Sequence, residues 1–139
     1  MARRILPILA AFGAAALALV GVCGCSDLSE LRDGAAAAAA HFRQAVQAQD
    51  WAAACEALAP ASRDELEQNN KAPCPQALGG QELPDAGRAR HTDVHGEAMA
   101  VFAQDTVFLA HFPSGWKVTA AGCQQQPGDR PYRCALKGR

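Results

Sequence analysis

Concentrated positive charge is missing from this chain. Its 13 Lys and Arg are dispersed among 14 Asp and Glu, and no basic block stands out. Nucleic-acid binding needs a cationic face dense enough to displace counterions, so no nucleic-acid partner is expected. Charge-driven attachment to anionic lipid is unsupported for the same reason. Catalytic signatures are missing too. Ser114 stands in Pro113-Ser114-Gly115 rather than in a nucleophile elbow. Gly79-Gly80 lacks the Lys-Ser/Thr that completes a phosphate loop. On these grounds the chain is expected to be no enzyme and to carry no cofactor or resident metal.

Charge is also absent from residues 5–22, and here the absence is informative. Arg3 and Arg4 precede this apolar run, giving the positive start and hydrophobic middle of a secretory leader. The run is long enough to cross a bilayer as a helix. Pro7 and Gly13 weaken that helix, and small residues close it, so cleavage is the preferred reading. The residues around Arg3-Arg4 match a twin-arginine signal only loosely. The segment ends in Val22-Cys23-Gly24-Cys25. Gly24 before Cys25 suits a lipoprotein processing site, although Cys23 is an unusual neighbour; bulky Val22 makes Cys23 itself a poor acceptor. The expectation is a signal peptide over 1–24, with Cys25 as the lipid-bearing first residue. The protein would then sit on the extracytoplasmic face of the cell membrane, with the bilayer as partner through the Cys25 lipid. Loss of Arg3 and Arg4 leaves eleven basic residues against fourteen acids, a net charge of −3.

Six cysteines then divide cleanly. Cys23 leaves with the leader, Cys25 takes lipid, and Cys55, Cys74, Cys123 and Cys134 remain. Four cysteines in an exported domain imply disulfides with three connectivities. Local pairing, Cys55–Cys74 and Cys123–Cys134, is the expectation. A four-cysteine metal site is disfavoured, because these four lack the Cys-x-x-Cys spacing of structural zinc.

Residues 25–34 are read as an anchor segment or linker, reaching roughly 30 Å if extended at about 3.3–3.6 Å per residue. They also have the option of starting the first helix, since Leu28, Leu31, Ala35, Ala38, Phe42 and Ala45 follow one helical face. Gly34 interrupts that face. The domain proper is placed at 35–139, with helices in 35–80 and strands in 88–137. The first helix covers 35–49, and its alanine run allows another element to approach closely. Asp50 is the N-cap of a second helix that Pro60 ends. Ser62 and Glu65 form a capping box for a third, broken by the 69–73 segment, and Cys74-Pro75 opens a last turn closed by Gly79-Gly80.

After Pro84-Asp85-Ala86-Gly87 the period changes to alternation. Strands are expected at 88–95, 98–103, 106–112, 116–124 and 131–137. Their short connections make an antiparallel meander, so the fold class is α+β with helices packed on a curved sheet. Trp116 and Val118 share one strand parity while Cys123 has the other. If Cys123 bridges Cys134 with both apolar sets inward, one residue must be inserted. Gly122 is the natural bulge.

Four runs carry a family likeness: His95-Gly96-Glu97-Ala98, Thr106-Val107-Phe108-Leu109, Gly115-Trp116-Lys117-Val118-Thr119-Ala120-Ala121-Gly122-Cys123 and Arg130-Pro131-Tyr132-Arg133-Cys134. With the upstream Asp50-Trp51-Ala52-Ala53-Ala54-Cys55, the chain from 42 to 134 resembles small uncharacterised lipoproteins of high-GC Gram-positive bacteria. The resemblance implies a nuclear transport factor 2-like cone and an envelope location. It implies no catalytic residues.

Two constellations remain. His91, Asp93 and His95 alternate, so they emerge from one strand face. Metal binding by them is disfavoured, because three groups spaced along one strand cannot reach one ion without distortion. His111, Asp105 and Tyr132 are the candidates for acid–base chemistry inside a cone, which needs a converging polar pair. Finally, Phe108 and Phe112 lie opposite Val107 and Leu109 on one strand. Both faces of that strand are apolar, and an uncovered one would serve an envelope protein or a small apolar ligand. The expected role is a non-enzymatic accessory or binding module, with a small-molecule site or enzyme in the cone as the alternative.

Overall fold

The structure is a computed structural model that describes residues 25–138. The expected leader, 1–24, lies outside the described residues. The described residues fold as α+β, four helices followed by an open five-stranded antiparallel sheet of order β1-β2-β3-β4-β5. The helices are α1 (Cys25–Gln47), α2 (Trp51–Ala57), α3 (Pro60–Asn70) and α4 (Cys74–Gly79). The strands are β1 (Ala89–His95), β2 (Glu97–Phe102), β3 (Thr106–Phe112), β4 (Gly115–Gln124) and β5 (Arg133–Lys137).

Residues 25–34 are not an extended linker; they form the first turns of α1. The apolar stripe that passes through Leu28, Leu31 and Ala35 simply continues. Gly34 has a packing reason, since a Cβ there would stand 3.3 Å from the Trp116 ring. Ala35, Ala39 and Phe42 are fully buried beneath α1. The thin alanines bring the helix onto the sheet, and burying a side chain such as Phe42 contributes about 2–3 kcal/mol.

Asp50 caps α2 as expected, accepting from Ala53 N at 3.1 Å. The next boundary differs. Pro60 begins α3 instead of ending α2, in the N-terminal position where a missing N–H costs nothing. Ser62 is therefore inside α3, and Ala59 takes the cap position without a side-chain bond. Ser62 is buried, and its Oγ donates to Thr119 O at 2.9 Å. The capping-box reading thus gives way to a tertiary contact. Leu58 and Ala59 line the upper edge of β4: Ala59 N donates to Val118 O at 2.8 Å, and Leu58 bridges Val118 in parallel. Gly138 N also reaches Thr119 O, at 2.9 Å. The edge that β5 leaves free on β4 is closed in this way.

The β4 strand changes face twice. Leu109 faces Val118, Phe108 faces Ala120 and Thr106 faces Cys123. One extra β4 residue therefore lies between 118 and 120, and another between 120 and 123. Toward β5 the ladder stays regular, with Ala121 opposite Leu136 and Cys123 opposite Cys134. The bulge expected at Gly122 exists on the β3 side, where Gly122 adopts φ +67°. The additional one beside Thr119 is what moves the inward set from Val118 to Ala121. Both expected disulfides are formed, Cys55–Cys74 and Cys123–Cys134. The first ties α4 to α2, and the second joins facing residues of β4 and β5.

Candidate functional site

A cleft of about 240 Å³ opens at the α1–β1–β2 margin of the space between helices and sheet, and the centre of that space is filled with side chains. Phe42, Leu78, Val107, Leu109 and Val118 are each fully buried there. The polar pair it contains joins α1 to the β2–β3 turn. Arg43 Nη1 lies 3.1 Å from Asp105 Oδ2, with both side chains almost completely enclosed. The approach is off the hydrogen-bonding direction, so it is an ionic contact rather than an aligned bond. Arg43 Nη2 donates to Pro84 O, and Asp105 Oδ1 accepts from Cys123 N at 2.9 Å. Arg43 thereby fastens the loop before β1, and Asp105 fastens the bulged end of β4. Burial lowers the Arg43 guanidinium from its ordinary range, against the opposing pull of Asp105 and Asp85. Burial raises the Asp105 carboxyl, opposed by Arg43 and by N–H groups of Cys123, Thr106 and Gly122. The sequence offers Asp105 as an acid–base candidate at a turn, and nothing in it singles out Arg43.

The other acid–base candidates do not converge on this pair. His111 is exposed and sets its ring edge-on to Trp116, with centroids 4.9 Å apart. Tyr132 sets its ring edge-on to Phe108 at 5.1 Å, on the opposite side of the sheet. His91, Asp93 and His95 do share one face of the edge strand β1. His91 Nε2 comes within 3.5 Å of Asp93 Oδ2 in a solvent-accessible pair. Among the described residues no three His, Cys, Asp or Glu side chains group closely enough to hold a metal ion.

The remaining candidate is the sheet face turned away from the helices. Register places Asp93 beside Met99 and Met99 beside Phe108, then Phe108 beside Ala120. Their neighbours of opposite parity (Ala98, Ala100, Val107, Leu109) are buried under the helices. Met99, Val101, Phe108, Ala110 and Ala120 are only half-buried. A shallow depression of about 280 Å³ opens here, lined by Asp93, His95, Glu97, Ala98, Met99 and Phe108. Its floor is apolar and its rim is carboxylate and imidazole. The doubly apolar β3 was legible in the sequence, and the depression is its outer side.

The α1 helix starts at Cys25, the expected lipid acceptor. Among the described residues no helix is long and apolar enough to cross a membrane. The chain matches no family model, no curated protein and no solved structure.

Proposed function

We propose that this chain is a lipid-anchored cell-envelope protein acting as a non-enzymatic accessory or binding module. It is exported by the signal peptide 1–24 and held by Cys25 at the extracytoplasmic face of the membrane. Its domain is a nuclear transport factor 2-like variant in which helices cover one face of an antiparallel meander. The helices-first order and the two disulfides support this reading.

The observation that carries the binding role is the half-open apolar face of Met99, Val101, Phe108 and Ala110. Apolar surface left accessible on a sheet, rimmed by polar groups, favours association with an envelope protein or a small apolar ligand. Catalysis in the interior has less support. The Arg43–Asp105 pair is walled in by packed side chains, and neither His111 nor Tyr132 approaches a carboxylate within it.

The test is site-specific photo-crosslinking in native membranes. A photoreactive residue at Met99 or Val101 should give discrete adducts that one at exposed Lys71 does not. An environment-sensitive apolar dye should brighten with the native protein and much less with Phe108→Ser. Equal labelling from Lys71, together with a dye response unchanged by Phe108→Ser, removes the assigned surface.

A further inference from the structure

We propose that the first two turns of α1 lie in the headgroup layer of the bilayer, with Leu28 and Leu31 turned toward the acyl chains. The inference rests on the proposed lipidation of Cys25 and adds a second membrane contact to it. Leu28 and Leu31 are large apolar side chains left 47% and 38% accessible. They continue the stripe whose later members, Ala35, Ala39 and Phe42, are fully buried under the sheet. The stripe therefore outruns the sheet by two turns at its Cys25 end, which leaves both leucines open to an apolar cover.

Geometry selects lipid as that cover. The α1 helix is unbroken from Cys25, so no flexible tether separates a lipid on Cys25 from the domain. At about 1.5 Å per residue, Leu28 stands roughly 4.5 Å and Leu31 roughly 9 Å along the axis from Cys25. The polar layer of one leaflet is about 5–7 Å thick. With the acyl chains of Cys25 in the hydrocarbon and the helix upright, Leu28 falls within that layer and Leu31 about 2 Å beyond it. A tilt of the helix toward its leucine side brings both to the acyl boundary, as in interfacial helices. Charge adds a preference: Asp27, Glu30 and Asp33 outnumber Arg32 on the same turns. The contact is thus apolar, favours zwitterionic lipid and is weakened by anionic lipid. Packing of Trp116 against Gly34 extends the constraint to the β3–β4 hairpin, so the whole domain is held at one orientation.

Hydrogen exchange of the lipidated protein in phosphatidylcholine vesicles tests this, against leaderless Cys25→Ser as the soluble reference. Amides 29–34 should slow by about tenfold or more, the mark of a costlier local opening. Lipidated Leu28→Ser/Leu31→Ser should lose that slowing, with amides 35–47 unchanged as the control for folding. Intact mass separates the two levels of the argument. An unmodified Cys25 overturns the anchor and this contact together. A lipidated protein whose amides 29–34 exchange as fast as the soluble form overturns this contact alone. So does slowing that survives the double serine substitution, or slowing seen only in native membranes, where a protein partner would be the cover.

Discussion

Arg43 on α1 and Asp105 in the β2–β3 turn face each other at 3.1 Å inside the core. The pair links elements far apart in sequence. Through Pro84 O and Cys123 N it ties the first helix to the loop before β1 and to the bulged end of β4. Desolvation weighs against both charges, so their value lies in fixing the helix on the sheet more than in net stability.

Removing one partner should therefore be worse than removing both. Arg43→Met leaves Asp105 buried without its counter-charge and should cost about 3–5 kcal/mol at neutral pH. In Arg43→Met/Asp105→Asn the site is neutral, and an amide oxygen still serves Cys123 N. Most of the loss should return. Urea unfolding of the two variants gives the comparison, and an additive outcome would contradict coupling.

The pH dependence has a definite sign. Burial holds the folded Asp105 carboxyl above its ordinary 3.8, so the folded state keeps a proton that the unfolded chain has released. The stabilisation from that proton is complete below 3.8 and is lost as pH rises through the folded value. Arg43 opposes the rise. Without it the window widens, and the stability of Arg43→Met should fall more steeply than wild type from pH 3.8 upward. Parallel curves in urea titrations across the acid range would disprove this assignment.

Arg43 also shows where sequence reasoning stops. It lies four residues beyond Ala39 on the buried face of α1, beside the apolar stripe that helical spacing picks out and not within it. Its charge argued outward, and its partner sits in a tight turn, where carboxylates normally meet water. Only the topology brings the two together. Pro60 and Ser62 misled for a related reason. Each has two local uses, and a tertiary contact with β4 decides between them. The alternating strands, the Asp50 cap and both disulfides were legible because short-range spacing determines them. So was the second apolar face of β3, although a single strand cannot reveal what covers it.

The disulfides should differ in what they hold. Their sequence separations of 19 and 11 residues give each about 3 kcal/mol by loop closure. Cys55→Ala/Cys74→Ala also releases the short α4 from α2, so its amides should exchange first while the sheet stays protected. In Cys123→Ala/Cys134→Ala, the facing strands keep their ladder. The loss should then appear as a lower unfolding midpoint without local opening in β4. Hydrogen exchange alongside urea unfolding distinguishes the two patterns.

The proposed anchor predicts that Cys25→Ser is released to the medium or accumulates unprocessed. The four remaining cysteines are already paired, so thiol titration of the purified variant after denaturation should find only Cys23, when the leader is retained, or none. Scrambled disulfides would mean that Cys25 takes part in the redox framework, and the division of the cysteines would fail.

Gly122 offers the last prediction, because its backbone and its surroundings penalise a side chain independently. Its φ of +67° is one that L residues adopt at a cost, and a Cβ would meet the Ala135 Cβ at 2.9 Å and Leu83 at 3.0 Å. Gly128 has a similar φ of +73° with open space around it. Gly128→Ala should thus cost about 1–2 kcal/mol for the left-handed conformation. Gly122→Ala carries that same strain and must also displace β5 or Leu83, adding about 1–3 kcal/mol of overpacking. Equal losses in thermal or urea unfolding would show that the β4 bulge yields without strain. A larger loss at Gly122 identifies the second β4 bulge as a place where backbone and packing together exclude any side chain.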